Sequence, residues 1–180
     1  NKKGELICKK PFPSMPVKFW NDIMDKKYKA AYFEKYKNIW HHGDFAKISN
    51  NEGFVIFGRS DTTLNPGGVR LGTAEIYSVV EKFKEIQESI VIGQSWRNDI
   101  RIILFVVLNK GYELTNEIKE EIKKSIKKNA SPRHVPSKII SIIDIPKTKN
   151  GKLVELAVKK TIEGDTIKNL EAIANPDSLE

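Results

Sequence analysis

Apolar positions between residues 73 and 160 change period several times. In TAEIYSVVEKF, Ile76, Val79, Val80 and Phe83 recur every three or four residues, which places them on one face of a helix that Thr73 can cap. SIVIGQSW and RIILFVVLN follow as β-branched runs of strand length, joined by the polar turn Arg97-Asn98-Asp99 and most simply paired as a hairpin. Ile118, Ile122 and Ile126 stand at four-residue spacing behind Thr115, a second capped helix. SKIISIIDI reads as a third strand stopped by Pro146, and LVELAVKK as a short helix beyond a turn at Asn150-Gly151, two residues that tolerate positive φ. The order helix, strand, strand, helix, strand predicts an α+β domain: a three-stranded sheet with helices against it.

Upstream of about residue 60 the texture differs. KPFPSMPVKFWND carries three prolines in six residues, and the first fifty positions are aromatic-rich and irregular, so extended chain and loops are expected there. Leu6 and Ile7 suggest a strand that would make Cys8 a small core residue, and a single cysteine forms no internal disulfide. Phe54 to Phe57 reads as another short strand, followed by the punctuation Gly58-Arg59-Ser60-Asp61. The division expected is 1–60, strands and loops from the edge of a larger domain, and 61–180, a small domain; NLEAIANPDSLE is expected to be loosely docked.

Composition narrows the class. The 180 residues are 39% hydrophobic and 30% charged, as in globular proteins, with no apolar run near the roughly 18 residues of a membrane helix. No signal-peptide core follows NKKGELICKK, so a cytoplasmic location is expected. The net charge of +8 leaves nucleic acid, a membrane surface and phosphate-bearing small molecules open as partners.

Two stretches could carry chemistry. IPKTKNGK places Lys147, Lys149 and Lys152 on one exposed turn, which read alone is a solvated basic loop. GRSDTTLNPGGVRLGTAEIY sets Arg59, Asp61, Asn65 and Arg70 around the tight Pro66-Gly67-Gly68 loop. Its glycines admit a ligand or another backbone, but the spacing fits neither a dinucleotide fingerprint nor a phosphate-cradling GxxxxGK loop. A hairpin loop with incidental arginines remains an equal reading.

Taken together, WHHGDFA, GRSDTTLNPGGVRLGTAEIY and IPKTKNGK resemble three elements of the adenylate-forming superfamily, in the same order: the aromatic-x-x-Gly-Asp element, the hinge-and-loop motif and the lysine loop. That superfamily includes acyl-CoA synthetases, peptide-synthetase adenylation domains and luciferases. GELICKKPFPSMPVKFWND, KAAYFEKY, NASPRHVP and GKLVELAVKK extend the likeness over nearly the whole chain, toward the acetoacetyl-CoA synthetase branch.

The resemblance implies a two-step ligase. A carboxylate, acetoacetate in that branch, attacks the α-phosphate of Mg2+-ATP to give an acyl-adenylate and pyrophosphate, and the CoA thiol then displaces AMP. It implies that Asp44 accepts from the ribose hydroxyls with Arg59 donating nearby, and that Lys152 bridges the attacking carboxylate and the phosphate oxygens. Asp61 would be the hinge of a mobile small domain, and Gly68, Val69 and Arg70 would line the channel for the pantetheine arm of CoA. Lys127, Lys128 and Arg133 are candidates for the CoA phosphates, with solvated surface an equal reading for each. The phosphate loop, the acid pocket and the Mg2+ site are expected on a large N-terminal AMP-binding domain, the implied partner of this chain. Without that domain, no acyl-CoA synthesis is expected. A lysine acetyltransferase and deacetylase acting on Lys152 would switch its charge.

His41-His42 departs from the superfamily pattern, in which a threonine commonly precedes the Gly-Asp pair. With His134 the sole other histidine, a non-metal role is expected for both. The rival class is a basic α+β module binding RNA or acidic partners, although Trp96 and Phe105 are the only aromatics in the three predicted strands.

Overall fold

The computed structural model describes residues 3–167 and 169–180, in two compact units, Asn1–Asp61 and Thr62–Glu180. The first unit is a three-stranded antiparallel sheet in the order β1 (Gly4–Cys8), β2 (Trp40–Ile48), β3 (Phe54–Arg59), with helix α1 (Lys26–Tyr32) between β1 and β2. The aromatic richness of this region has a structural use. Tyr32 stacks on the buried Trp40 at 3.7 Å, and Phe12 and Phe33 meet the same indole edge-on at 5.3 and 5.9 Å. This stretch is therefore more ordered than the expected loops. Two signals for α1 were present: the helix-forming run KKYKAAY, and Asp22, whose carboxylate accepts from the Lys27 and Tyr28 amides at 2.9 and 2.8 Å. Cys8 ends β1 half-buried rather than in a core.

The second unit is the expected α+β domain. Strands β4 (Ile86–Trp96) and β5 (Asp99–Leu108) form an antiparallel hairpin, and β6 (Lys138–Ser141) adds parallel to β5 after helix α3 (Asn116–Asn129). Alternation explains the nearly unbroken apolar runs, because both faces of the sheet are covered. Val91, Ile102, Leu104 and Val106 pack with Ile76, Val79 and Val80 of α2 (Thr73–Val80) and with Ile122 and Ile126 of α3. Ile90, Ile92 and Ile103 face the other way, onto Ile145 and Val158 of α4 (Glu155–Glu163).

Four local expectations change. The hairpin turn is the two-residue Arg97-Asn98, both at positive φ (49° and 63°), the geometry that matches the twist of the flanking strands. Asp99 thereby joins β5. Thr115 does cap α3, its hydroxyl 3.4 Å from the Ile118 amide, but α2 is capped by Gly72, whose N–H donates to Glu75 at 3.3 Å while Thr73 lies buried inside the first turn. The third strand is only four residues long; Ile142 donates once more to Val106, and Ile143 then turns fully outward. The segment expected to be loose is fastened: Ile173 is buried and bridges to Thr148.

One side chain joins three elements of this unit. The half-buried Tyr77 hydroxyl on α2 accepts from the outward amide of Val91 on the edge strand β4 at 3.0 Å and donates to Glu155 at the start of α4. Burial, with Glu155 beside it, pushes the phenol far above the usual tyrosine range, so it stays a donor. Tyr77→Phe strands both partners and should lower stability by about 1–3 kcal/mol. Urea denaturation checks this; an unchanged midpoint would exclude the linkage.

Candidate functional site

In the first unit β2 and β3 bring the sequence-predicted pair together. Asp44 and Arg59 are register partners across the ladder, and Arg59 Nη1 stands 3.8 Å from Asp44 Oδ1. The other carboxylate oxygen, Oδ2, lies 2.7 Å from His42 Nδ1. Arg59 also donates to the His42 carbonyl at 3.3 Å and from Nε to Asp61 at 3.4 Å, so the expected hinge residue belongs to the same cluster. The chain divides into its two units immediately after Asp61. A glycine is required at position 43: its φ is +86°, and a Cβ there would fall 2.8 Å from the Arg59 guanidinium. Trp40, His42, Gly43, Arg59 and Asp61 line a concavity of about 770 Å³.

The adjacent histidines turn to different partners. His42 is held by Asp44, whereas His41 Nε2 lies 3.1 Å from Glu5. Glu5, on β1, also receives Lys35 and the Ser60 hydroxyl, and so ties the ends of β2 and β3 to β1. Sequence reasoning missed it because its partners lie 30 to 55 residues away.

In the second unit the glycine loop is closed by reciprocal backbone bonds between the buried Leu64 and Leu71, at 3.0 and 2.8 Å. Gly67 and Gly68 both take positive φ (57° and 76°), and a Cβ on Gly68 would meet nothing within 4 Å. Within this unit the glycine is therefore required by conformation, not by crowding. Val69 and Arg70 are exposed. The loop's orientation depends on Asp99, which accepts from the Gly67 amide at 2.8 Å and from Ile100 at 2.7 Å; these two bonds hold its carboxyl below the usual range. No local signal marks Asp99 for this task, since it lies 32 residues from Gly67.

Among the basic candidates, Arg133 is brought to the loop, its Nη1 3.5 Å from where a Gly67 Cβ would stand. Its neighbour His134 is buried between Ser131 (2.7 Å) and Glu75 (3.2 Å), which fastens this turn to the start of α2. Lys127 and Lys128 project from the exposed last turn of α3. Of the two aromatics on the strands, Phe105 packs in the core beside Ile103, and Trp96 is covered on one face by Arg101 at 3.6 Å.

The lysine turn is a braced hairpin. Thr148 donates to the Lys152 carbonyl at 2.8 Å, its hydroxyl accepts from the Lys152 amide at 3.1 Å, and Gly151, at φ +75°, closes onto the Thr148 carbonyl at 2.8 Å. Gly151 alone takes the positive φ; Asn150 does not. The three lysines separate here: Lys147 is bound to Glu88 at 2.6 Å, while the exposed Lys149 and Lys152 ammonium groups meet no acceptor among the described residues. Lys152 is thus a free cation on a fixed backbone.

Comparison with known proteins bears on this arrangement. Residues 75–152 match the AMP-binding enzyme C-terminal domain family. The chain is 57% identical over 178 residues to the acetoacetyl-coenzyme A synthetase of Rhizobium meliloti (strain 1021) and 45% identical over 179 residues to the acetoacetyl-CoA synthetase of Rattus norvegicus, matches that cover 99% and 98% of it. Over nearly its whole length the chain is similar to acetoacetyl-CoA synthetases. It spans about a quarter of these relatives, 27% of each. A solved acetoacetyl-CoA synthetase from Streptomyces lividans superposes with a TM-score of 0.92 at 41% identity, over 99% of this chain and 27% of that one. The fold also matches a benzoate CoA ligase from Burkholderia xenovorans LB400, with a TM-score of 0.71 at 25% identity, over 88% of this chain and 30% of that one. No helix among the described residues is long and apolar enough to cross a membrane.

Glu5 makes the first unit acid-sensitive. Burial alone would raise its pKa, but hydrogen bonds from Lys35, Ser60 and His41 outweigh that and hold it at about 2, from an ordinary 4.5. A depressed carboxyl stabilises the folded state above its unfolded value and loses that contribution as pH falls through the folded one. Urea stability should therefore decline between about pH 4.5 and 2 by up to about 3 kcal/mol, and Glu5→Gln should flatten this profile. An identical slope in the variant would assign the acid sensitivity elsewhere.

Proposed function

We propose that this chain is the mobile C-terminal part of an ATP-dependent acid–thiol ligase that converts acetoacetate, ATP and CoA to acetoacetyl-CoA, AMP and pyrophosphate through an acyl-adenylate. The observation that carries the reading is the state of Lys152: an unpaired ammonium at the tip of a braced turn, in a chain similar to these synthetases. Adenylation gathers negative charge on phosphate oxygens, and one preorganised donor in a water-poor site is worth about 3–4 kcal/mol. A lysine supplies that charge as a compact cation.

The remaining roles follow the same division. Asp44 keeps Oδ1 open to a donor, since its nearest cation stands off at 3.8 Å, and an acceptor-only carboxylate suits a vicinal diol such as ribose. Arg59 donates beside it. Residues 1–60 act as the edge of the large AMP-binding domain and 61–180 as the small domain, with Asp61 as the hinge; the change of compact unit after Asp61 supports this. After adenylation the small domain rotates, Lys152 withdraws, and Gly68, Val69 and Arg70 face the pantetheine arm. Arg133 beside Gly67, with Lys127 and Lys128, offers cations for the CoA phosphates. The large domain would hold Mg2+ and the nucleotide phosphates.

In the full-length protein, Lys152→Ala should reduce acetoacetate-dependent pyrophosphate exchange by about 10²-fold or more and spare thioester formation from supplied acetoacetyl-adenylate. Equal loss of both half-reactions would refute the role of Lys152. A panel of acetate, propionate and acetoacetate in the same assay tests the substrate; stronger turnover with another acid would discard acetoacetate and keep the chemistry. Acetylation of Lys152 removes its charge and should silence exchange in the same selective way. Chemically acetylated protein with intact exchange would rule out such control.

A further inference from the structure

Lys147–Lys149, the arm leading into the lysine turn, is bonded along both of its edges. On one side it pairs with the returning arm, through Thr148 to the Lys152 carbonyl and an antiparallel bridge between Lys147 and Leu153. On the other side it pairs with segment 172–175. Lys149 donates to the Ala172 carbonyl at 3.2 Å, Ala174 donates to the Lys147 carbonyl at 2.8 Å, and Thr148 bridges antiparallel to the buried Ile173.

Asn175 locks this pairing. Its side-chain oxygen accepts from the Lys147 amide at 2.8 Å, and its side-chain nitrogen donates to Asp144 at 2.6 Å and to the Ile145 carbonyl at 2.9 Å. One amide group thus spans the entry to the turn on both sides of Pro146. A turn bonded along only one edge frays; one held along both has its backbone set before any substrate arrives.

We propose that segment 172–175, through Asn175, positions Lys152 for adenylation. The inference rests on the role assigned to Lys152 above, and assigns Asn175 a role at a distance: it touches the lysine arm and never the reacting atoms. A flexible four-carbon side chain samples its target efficiently only when its Cα is fixed, and displacement of a reacting group by about 1 Å can cost about 10²-fold in rate. Thioester formation, in which Lys152 takes no part, has no such dependence on this segment.

The test is Asn175→Ala in the full-length protein, with both half-reactions measured beside Lys152→Ala. Asn175→Ala should lower kcat for acetoacetate-dependent pyrophosphate exchange by about tenfold or more, leave the KM for acetoacetate near its original value, and leave thioester formation from supplied acyl-adenylate unchanged. Tryptic cleavage at Lys149 and Lys152 should accelerate in the same variant. Retained thioester formation separates positioning from general loss of structure, because an unfolded small domain would lose both half-reactions. Unchanged exchange in Asn175→Ala while Lys152→Ala loses it would overturn this inference alone. Equal loss of both half-reactions in Asn175→Ala would also overturn it. Intact exchange in Lys152→Ala would overturn the role of Lys152 and this inference with it.

Discussion

An edge strand presents amides that must be satisfied or left to water, and in the unit that carries Lys152 one hydroxyl answers that requirement at the middle of β4. β4 is the outer strand of its sheet, and the outward amide of Val91 finds the Tyr77 oxygen. Because the same oxygen donates to Glu155, the helix on one face of the sheet is joined around the β4 edge to the start of the helix on the other. The lysine turn runs directly into Glu155, so its returning arm starts from a point bonded to the core. The free tip of the turn depends on this anchor.

A second regularity concerns the acids. Asp22 holds two amides of α1, Asp99 holds Gly67 and Ile100, Glu75 holds Gly72, and Glu163 holds Ser95. Lys127, Lys128, Lys149 and Lys152 stay without partners among the described residues. The net charge of +8 is thus distributed unevenly. Lys149 and Lys152 remain free at the tip of their turn, whereas Lys147, at its entry, is neutralised by Glu88 and serves as a strut. A braced backbone with an unpaired cation is the arrangement electrostatic catalysis requires, because little reorganisation is left for the moment of reaction.

What was legible in the sequence was whatever short-range physics decides. The period of Ile118, Ile122 and Ile126 behind Thr115 is a property of one helix, and α3 lies where that period places it. The β-branched runs of β4 and β5 and the turn at Asn150-Gly151 are likewise local, and the motifs around Asp44, Asp61 and Lys152 pointed to the same synthetases that the chain is similar to. Even there the detail shifted. Asp99 left the turn for β5, and Gly72 rather than Thr73 capped α2, since a cap depends on which amides the arriving chain leaves open.

Tertiary structure alone decided which like residues would differ. Three lysines crowd one turn, and only the packing of β4 beside it determines that Lys147 meets Glu88 while Lys152 does not. The aromatic, proline-rich opening became an ordered cluster because Phe12, Tyr32 and Phe33 meet Trp40, and the closing segment became fastened because Ile173 found a buried site and Asn175 three partners. The bonds of Lys147 to Asn175 and to Glu88 join residues 28 and 59 positions apart, beyond the reach of period, cap or turn signal. Local rules determined which elements form and which side chains are chemically able; the distant contacts selected which of those side chains are held and which are left free to act.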